Sequence, residues 1–252
     1  MTNEKVTRLI NGMLAGQTRA LAQLISLAEN DSPRLRGILK KLCPHPGKAC
    51  RIGVTGPPGS GKSTLVGVLT STIRSKGLSV GVIAVDPSSP ISSGSLLGDR
   101  IRMSQHYLDE GVFIRSMATR GSYGGLSEAV ASSVNLLDAF GKDIIIVETA
   151  GVGQIELSIR EIADTLVLVL VPGYGDGIQA MKAGLIEVAD IIVVNKADQP
   201  GAERLVNELQ DTLAPHQLIM VTEAISGTGI EELYQAIDQH HQDSQTHREI
   251  TE

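Results

Sequence analysis

The chain has 252 residues, a formal net charge of −6, 2% aromatic residues and no Trp. This length is sufficient for a full core, in one large domain or in a domain with an appendage. The acidic balance and the scarcity of aromatic rings argue against a nucleic-acid ligand. Two cysteines form no secreted disulfide framework. The chain has no signal-peptide pattern and no apolar run of membrane-spanning length, so we expect a cytoplasmic protein with no membrane partner.

The first part of the chain carries three amphipathic helical patterns, with apolar residues at positions i, i+3, i+4 and i+7. The three sets are Val6, Leu9, Ile10 and Met13; Leu21, Leu24, Ile25 and Ala28; and Leu35, Ile38, Leu39 and Leu42. Because apolar stripes usually face a core, we predict an N-terminal helical cap over residues 1–47 that packs on the domain after it. Helices that dock a partner are the alternative. Cys43, His45 and Cys50 match no zinc spacing and lack a fourth ligand.

Apolar runs alternate with helical patterns from residue 51 onward, as is typical of parallel strands covered on both faces. The runs lie at 52–54, 80–85, 144–147, 166–171, 191–194 and 218–221, and the helical patterns at 62–76, 125–140, 177–188, 201–213 and 230–240. This alternation predicts an α/β fold over residues 48–240, a doubly wound and mostly parallel sheet with its ligand at the carboxyl ends of the strands. We expect residues 241–252 to form a polar, frayed tail.

A glycine-rich turn follows the first predicted strand and fits the phosphate-binding pattern G-x-x-x-x-G-K-[ST]. Glycines let backbone N–H groups approach a phosphate, and the helix N-terminus behind them adds partial positive charge. Lys62 can reach the β- and γ-phosphates, and the Ser63 hydroxyl can bind Mg²⁺. A plain strand-to-helix turn is the alternative. The predicted phosphate-binding residues are Gly56, Pro57, Pro58, Gly59, Ser60, Gly61, Lys62, Ser63 and Thr64.

The motif Asn195-Lys196-Ala197-Asp198 follows the strand at 191–194 and predicts guanine recognition. The Asp198 carboxylate can accept hydrogen bonds from two guanine donors, and adenine offers no such pair. Asn195 can brace the loop, and the Lys196 stem can cover the base. A solvated turn is the alternative. A second base-contacting loop is expected at Thr222 and Ala224.

Glu148 follows the predicted strand at 144–147. Its carboxylate can hold Mg²⁺, directly or through water, and Gly151 can offer its N–H to a γ-phosphate. Many GTPases have a water-orienting Gln directly after this glycine, but the chain has Val152 there. We therefore predict slow hydrolysis that a partner accelerates.

Long loops after two other strands are further candidates. Asp86 and Asp99 are candidates for metal or water positioning, and Asp99 is also a candidate cap of a helix over 100–109. Arg115 and Arg120 are expected to flank a strand. The glycine-dense loop at 172–177 is a second candidate for a nucleotide-responsive segment. Its predicted switch residues, with the helix after it, are Pro172, Gly173, Gly175, Asp176 and Lys182.

Taken together, the chain resembles the MeaB-type (ArgK) family of P-loop GTPases over the helical cap and the whole core. The resemblance is carried by Gly-Pro-Pro-Gly-Ser-Gly-Lys-Ser-Thr (56–64), Asp-Pro-Ser-Ser-Pro (86–90), Leu-Leu-Gly-Asp-Arg-Ile-Arg-Met (96–103), Glu-Thr-Ala-Gly-Val-Gly-Gln (148–154) and Asn-Lys-Ala-Asp (195–198). Members act as GTP-hydrolysing chaperones of adenosylcobalamin-dependent acyl-CoA mutases such as methylmalonyl-CoA mutase, gating cofactor loading and protecting the mutase.

The resemblance implies GTP or GDP as the ligand, Mg²⁺ as the cofactor and a cobalamin-dependent acyl-CoA mutase as the partner. It implies that Lys62 holds phosphate, and that Ser63, Asp86, Asp99 and Glu148 form the Mg²⁺ and water network. Residues 172–182 resemble a switch loop that transmits the nucleotide state. The family pattern departs at Glu223, where a small polar residue is usual, and after residue 240, where a helical dimerisation arm usually follows. A homodimer is therefore left open.

Two alternatives remain open for the function. The first is a P-loop kinase or ATPase of an amino-acid transport system, which Asp198 disfavours. The second is a nickel-insertion GTPase chaperone, which usually has a His-rich tract. Here His240, His241 and His247 are sparse.

Overall fold

The computed structural model describes residues 3–30, 48–86, 103–118, 128–149, 159–173, 184–211, 213–214 and 217–251. Within these ranges the strands are β1 (Cys50–Thr55), β2 (Val80–Asp86), β3 (Val112–Ala118), β4 (Ile144–Thr149), β5 (Thr165–Leu170), β6 (Ile191–Asn195) and β7 (Leu218–Thr222). The helices are α1 (Asn3–Leu14), α2 (Thr18–Glu29), α3 (Lys62–Ser75), α4 (Glu128–Ala139), α5 (Leu185–Val188), α6 (Ala202–Gln210) and α7 (Ile230–Thr251).

The seven strands form one sheet in the order β3-β2-β4-β1-β5-β6-β7, and each pairing between these strands is parallel. The predicted α/β fold with a doubly wound sheet is therefore confirmed. β1 lies between β4 and β5, where the direction of winding reverses. In sheets of this kind ligands bind beyond the carboxyl ends of the strands at that reversal. The loop that follows β1 therefore occupies the position where a ligand is expected.

Helices cover both faces of the sheet, which explains the nearly continuous apolar strands. On one face, α3 and α7 pack on residues such as Val54 and Val169. On the other, α1, α2 and α4 pack on Ile83 and Val147. β5 illustrates the result, because all six of its residues are buried.

The first two amphipathic patterns form α1 and α2, and their apolar stripes face the rest of the chain. Met13 and Leu24 are fully buried in the same cluster as Val134 of α4. An ion pair and hydrogen bond between Arg115 of β3 and Glu29 of α2 adds a polar contact. These helices thus pack intramolecularly. The third pattern, at 35–42, lies outside the described residues, and the division into a cap at 1–47, a domain at 48–240 and a tail at 241–252 stays a prediction.

The C-terminal helix is longer than the sequence pattern predicts. We expected it to end near His240, but α7 continues to Thr251. His240 Nδ1 lies 2.8 Å from Thr165 Oγ1, and His240 Nε2 lies 3.5 Å from Asp190 Oδ1. Beyond this contact, polar side chains four residues apart interact along the helix, including Gln245 with His241. Pairs at this spacing stabilise a helix without an apolar stripe, so the expectation of a frayed tail from residue 241 is wrong.

Several other predicted boundaries also differ. The helix expected over 100–109 is absent from its described part, where residues 103–110 contain a single 3₁₀ turn at Ser104–His106. Arg115 lies inside β3 and does not flank it. Both differences arise where tertiary contacts override local propensity. Here Met103 is fully buried and the His106 imidazole lies 2.9 Å from the Gly67 carbonyl of α3.

Candidate functional site

The glycine-rich turn joins the end of β1 to the start of α3, and its backbone requires glycine. Gly56 has a φ of +143°, and a Cβ there would lie 2.1 Å from the Val169 carbonyl oxygen. Gly61 has a φ of +89°, and a Cβ there would lie 2.5 Å from the Asn195 amide nitrogen. Such positive φ values are accessible to glycine at little cost. A side chain at Gly56 or Gly61 would therefore strain the turn, which explains the glycines at these two positions of the motif.

Lys62 begins α3, and its side chain lies over the loop that precedes it. The ammonium donates hydrogen bonds to the carbonyls of Gly56 (2.8 Å) and Pro57 (2.9 Å). Lys62 is only 6% exposed. A buried ammonium at a helix N-terminus places a full positive charge beside the partial charge of the helix dipole. This combination attracts a polyanion such as a nucleotide phosphate.

Asn195, the last residue of β6, connects the glycine-rich turn to the residues at the end of β7 and after it. Its side-chain amide nitrogen donates to the Ser60 carbonyl at 2.8 Å. Its carbonyl oxygen accepts from the Thr222 hydroxyl and from the Ala224 backbone amide, each at 3.1 Å. Because Asn195 is only 1% exposed, these hydrogen bonds are shielded from water. They fix the distance between two loops that lie far apart in the sequence.

Lys196 and Asp198 lie on the turn after Asn195. Lys196 has a φ of +57°, a conformation that is uncommon for residues other than glycine. Its ammonium donates to the Gly59 carbonyl at 2.9 Å, so its stem extends across the glycine-rich turn. Asp198 is exposed, which leaves its carboxylate open to a ligand. Thr222 and Ala224 are buried at the other side of Asn195.

The Ser63 hydroxyl, in the first turn of α3, and the Glu148 carboxylate, near the end of β4, form a buried pair of oxygen groups. The Ser63 hydroxyl donates to Glu148 Oε1 at 2.6 Å, and the two residues are 6% and 5% exposed. Mg²⁺ prefers oxygen ligands, such as those of hydroxyl and carboxylate groups. Ser63 and Glu148 therefore fit a magnesium site beside the phosphate-binding loop. Asp86 ends β2 one residue after Val85, which pairs with Thr149 of β4, so the backbone of Asp86 lies at the same end of the sheet.

One hydroxyl pair at this edge was missed by the sequence analysis. Thr149 Oγ1 donates to Thr55 Oγ1 at 3.0 Å, and both residues are buried. Thr55 precedes Gly56, and Thr149 follows Glu148 in the chain. Thr149 belongs to the motif at 148–154, but its sequence position does not show which residue of a neighbouring strand it contacts.

The remaining predicted site residues are distributed as follows. Ser60 is buried, and Pro58, Gly59 and Thr64 are exposed on the glycine-rich turn and the first turn of α3. Pro172 and Gly173 follow β5, and Gly173 has a φ of +85°. The other predicted residues lie outside the described part of the chain, namely Asp99, Gly151, Gly175, Asp176, Lys182 and the side chain of Asp86.

A pocket of about 460 Å³ lies at the amino ends of the strands, between the start of β1, the start of β4 and α7. Cys50 lines it and is buried. Burial, reinforced by the nearby carboxylates of Asp164 and Asp238, raises the pKa of the Cys50 thiol to about 12. This thiol is therefore protonated at neutral pH and is a poor metal ligand or nucleophile.

No helix among the described residues is long and apolar enough to cross a membrane.

Comparison with known proteins identifies related sequences along nearly the whole chain. A family model described as methylmalonyl-CoA mutase-associated GTPase MeaB matches residues 21–251. A protein of Pyrococcus horikoshii named as a GTPase is 50% identical over 247 residues, covering 94% of this chain and 78% of that protein. The mouse mitochondrial methylmalonic aciduria type A homolog is 38% identical over 207 residues, covering 77% of this chain and 50% of that protein.

Among solved structures, the crystal structure of an LAO/AO transport system kinase is similar to the whole chain. It has a TM-score of 0.71 and 27% sequence identity, and the match covers 100% of this chain and 84% of that one. The similarity extends over α1 and α2 as well as the sheet. The arrangement of helical cap and nucleotide-binding core is therefore shared with a solved relative.

Proposed function

Because this chain belongs to the MeaB family of methylmalonyl-CoA mutase-associated GTPases, we propose that it is a G-protein chaperone of a cobalamin-dependent acyl-CoA mutase. Its activity is that of a GTPase, which hydrolyses GTP to GDP. The proposed role is to couple this hydrolysis to loading or protection of the mutase cofactor. The family description names methylmalonyl-CoA mutase and the mouse relative is named after methylmalonic aciduria, and both names support this role.

One observation carries the proposed nucleotide site. Asn195 bonds to both the Ser60 carbonyl and the Ala224 amide, so the phosphate-binding loop and the base-binding loops form one rigid unit. Residues 56–64 then bind the phosphates, with Gly151 at the γ-phosphate. Lys196 and Asp198 bind guanine, with Thr222 and Ala224 closing the pocket beside the base. Charge-assisted hydrogen bonds from Lys62 supply much of the phosphate affinity.

Mg²⁺ is proposed to bind at Ser63 and Glu148, with Asp86 and Asp99 completing its ligand and water network. When bound, Mg²⁺ neutralises charge that develops on the β- and γ-phosphates. The chain itself contributes positioning and electrostatic stabilisation, because little covalent chemistry is required of the protein in phosphoryl transfer. Lys62 stabilises the negative charge of the phosphates, and the adjacent carboxylates orient water.

Turnover is proposed to be slow until a partner completes the site, since Val152 follows Gly151 where a water-orienting Gln is common. The loop that begins at Pro172 and Gly173 is proposed to transmit the nucleotide state, through Gly175, Asp176 and Lys182. It starts at the carboxyl end of β5, next to β1 in the sheet. A homodimer is compatible with this proposal and is not required by it.

A second candidate function is a kinase of an amino-acid transport system, because the solved relative with a TM-score of 0.71 has that description. The two candidates differ in the fate of the γ-phosphate. A GTPase chaperone releases it to water, whereas a kinase transfers it to another molecule. Incubation with γ-³²P-labelled GTP and separation of free from protein-bound or amino-acid-bound label distinguishes them.

The proposed role is tested by measuring phosphate release by the purified chain with and without an adenosylcobalamin-dependent acyl-CoA mutase. We expect addition of the mutase to raise the rate by at least about tenfold. Lys62→Ala should abolish the rate and any nucleotide-dependent effect on the mutase. Arg204→Ala removes an exposed cation of α6 and serves as the matched control. A fast rate that the mutase does not change contradicts the chaperone role.

A further inference from the structure

Two buried threonine hydroxyls connect the strands that carry the phosphate-binding loop and the proposed magnesium ligand. Thr149 Oγ1 of β4 donates to Thr55 Oγ1 of β1 at 3.0 Å. Thr55 is 0% exposed and Thr149 is 2% exposed. A hydrogen bond in such a water-free environment is electrostatically stronger than an exposed one. The contact therefore links the two strand ends firmly.

The position of this pair within the sheet gives it a direct connection to the site. Val54 of β1 pairs with Glu148 of β4, so Thr55 and Thr149 are the next residues along the same two strands. Because side chains alternate between the faces of a strand, Glu148 and Thr149 lie on opposite faces. Glu148 faces α3 and accepts from Ser63, whereas Thr149 anchors the same strand end from the other face.

From this geometry we infer that Thr55 and Thr149 are positioning residues for GTP hydrolysis. Their hydrogen bond fixes the end of β4 relative to the end of β1. This sets the Glu148 carboxylate against Ser63 and fixes the point from which the chain continues toward Gly151. Both hydroxyls lie on the face of the sheet opposite Glu148, and the pair acts through the position of the Glu148 carboxylate. The inference rests on the nucleotide site proposed above.

Apolar packing alone would not provide this link. Valine has nearly the same shape as threonine and a comparable preference for strands, but it forms no directional contact across the strands. The hydroxyl pair opposes sliding of β4 against β1. Hydrolysis is sensitive to small displacements of positioned groups, whereas affinity for GDP depends mainly on the glycine-rich loop and the base loops. The pair should therefore affect kcat more than nucleotide affinity.

The test is a double-mutant cycle of Thr55→Val and Thr149→Val in the full chain, with urea unfolding, GDP affinity and single-turnover GTP hydrolysis measured for each variant. Thr165→Val is the matched control. Thr165 is a fully buried strand threonine whose hydroxyl contacts His240 at the opposite edge of the sheet. Thr149→Ser, which retains the hydroxyl, provides a second test that does not depend on a valine variant folding.

Each single valine variant should lower the urea midpoint, because it leaves one buried hydroxyl without its partner, and should lower the hydrolysis rate about tenfold. The affinity for GDP should stay within about twofold of the native value. The double variant should regain most of the urea midpoint, because removing both partners leaves no unsatisfied group, but its hydrolysis rate should stay low. Thr149→Ser and Thr165→Val should hydrolyse GTP at the native rate.

The inference is overturned if the double variant regains the hydrolysis rate together with stability, since the pair would then be only structural. It is also overturned if Thr149→Ser loses as much activity as Thr149→Val, or if the unfolding cycle shows no coupling between the two positions. The unfolding cycle involves no nucleotide. A native chain that binds neither GDP nor GTP would refute the proposed nucleotide site, and the unfolding cycle would still show whether the hydroxyls are coupled.

Discussion

The side-chain nitrogen of Asn195 donates a hydrogen bond of 2.8 Å to the backbone carbonyl of Ser60. This contact spans 135 residues of sequence and joins the loop after β6 to the loop after β1. The side-chain carbonyl oxygen of Asn195 accepts hydrogen bonds from the Thr222 hydroxyl and from the Ala224 backbone amide. A single buried side chain thus determines the spacing between the proposed phosphate site and the proposed base site.

Removal of this side chain should affect stability and nucleotide binding together. Asn195→Ala leaves a buried carbonyl, hydroxyl and amide without their partner, which should cost about 2–4 kcal/mol of unfolding free energy. GDP affinity should fall as well, because the two loops lose their fixed spacing. Urea unfolding and titration with a fluorescent GDP measure the two effects.

Ser133→Ala is the matched control for this prediction, because it removes one buried hydrogen bond, from the Ser133 hydroxyl to the Ala129 carbonyl of α4, and leaves the Asn195 bridge in place. It should lower the unfolding free energy by only about 1 kcal/mol and should retain most of the affinity. An Asn195→Ala variant with native stability and native affinity would show that the bridge is unimportant.

Asp198 is predicted to determine the choice of base. Asp198→Asn should weaken GTP binding about 10- to 100-fold, because the amide places a donor opposite one of the two guanine donors. The same change should favour xanthine nucleotides, which carry an acceptor at that position. Competition of GTP and XTP against a fluorescent nucleotide measures the preference. Asp211→Asn, at the C-terminal end of α6, is the control, and unchanged GTP affinity in Asp198→Asn would refute the base assignment.

Cys50 should be unreactive in the native protein. The pKa of its thiol is raised from 9.0 to about 12, chiefly by burial. A group whose pKa is raised on folding contributes its stability fully below the unfolded pKa and loses it as the pH rises toward the folded pKa. Unfolding free energy should therefore fall by about 1 kcal/mol between pH 8 and pH 10 through Cys50 alone.

Two measurements check this prediction. In a Cys43→Ser background, the rate of thiol labelling at pH 8 should be limited by unfolding and should rise steeply with urea. The loss of stability between pH 8 and pH 10 should be smaller in Cys50→Ala than in the native chain by about 1 kcal/mol. Rapid labelling without denaturant would show that the thiol is accessible.

Much of the fold follows from local sequence patterns. Continuous apolar runs mark buried parallel strands wherever helices cover both faces, as at β5, and the glycine pattern marks the turn before α3. A motif such as Asn195-Lys196-Ala197-Asp198 combines side chains close together in sequence, so its place at a strand end could be predicted.

Other features depend on contacts between distant parts of the chain. The continuation of α7 beyond His240 had no apolar stripe to indicate it, because it rests on polar pairs within the helix and on the contacts of His240 with Thr165 and Asp190. Arg115 gave no sign that it lies within β3 and pairs with Glu29. His240 lies 75 residues from Thr165 in the sequence, and Arg115 lies 86 residues from Glu29.

The sequence by itself determined the class of the fold, the position of the glycine-rich turn and the residue types that meet a nucleotide, because these depend on periodicity and on short motifs. Only the tertiary structure decided which of those residues act together. The bridge from Asn195 to Ser60 and the hydroxyl pair of Thr55 and Thr149 exist because parallel strands bring distant residues into register. Parallel strands are joined by long crossover connections, so a short motif within one strand does not specify which strand lies beside it.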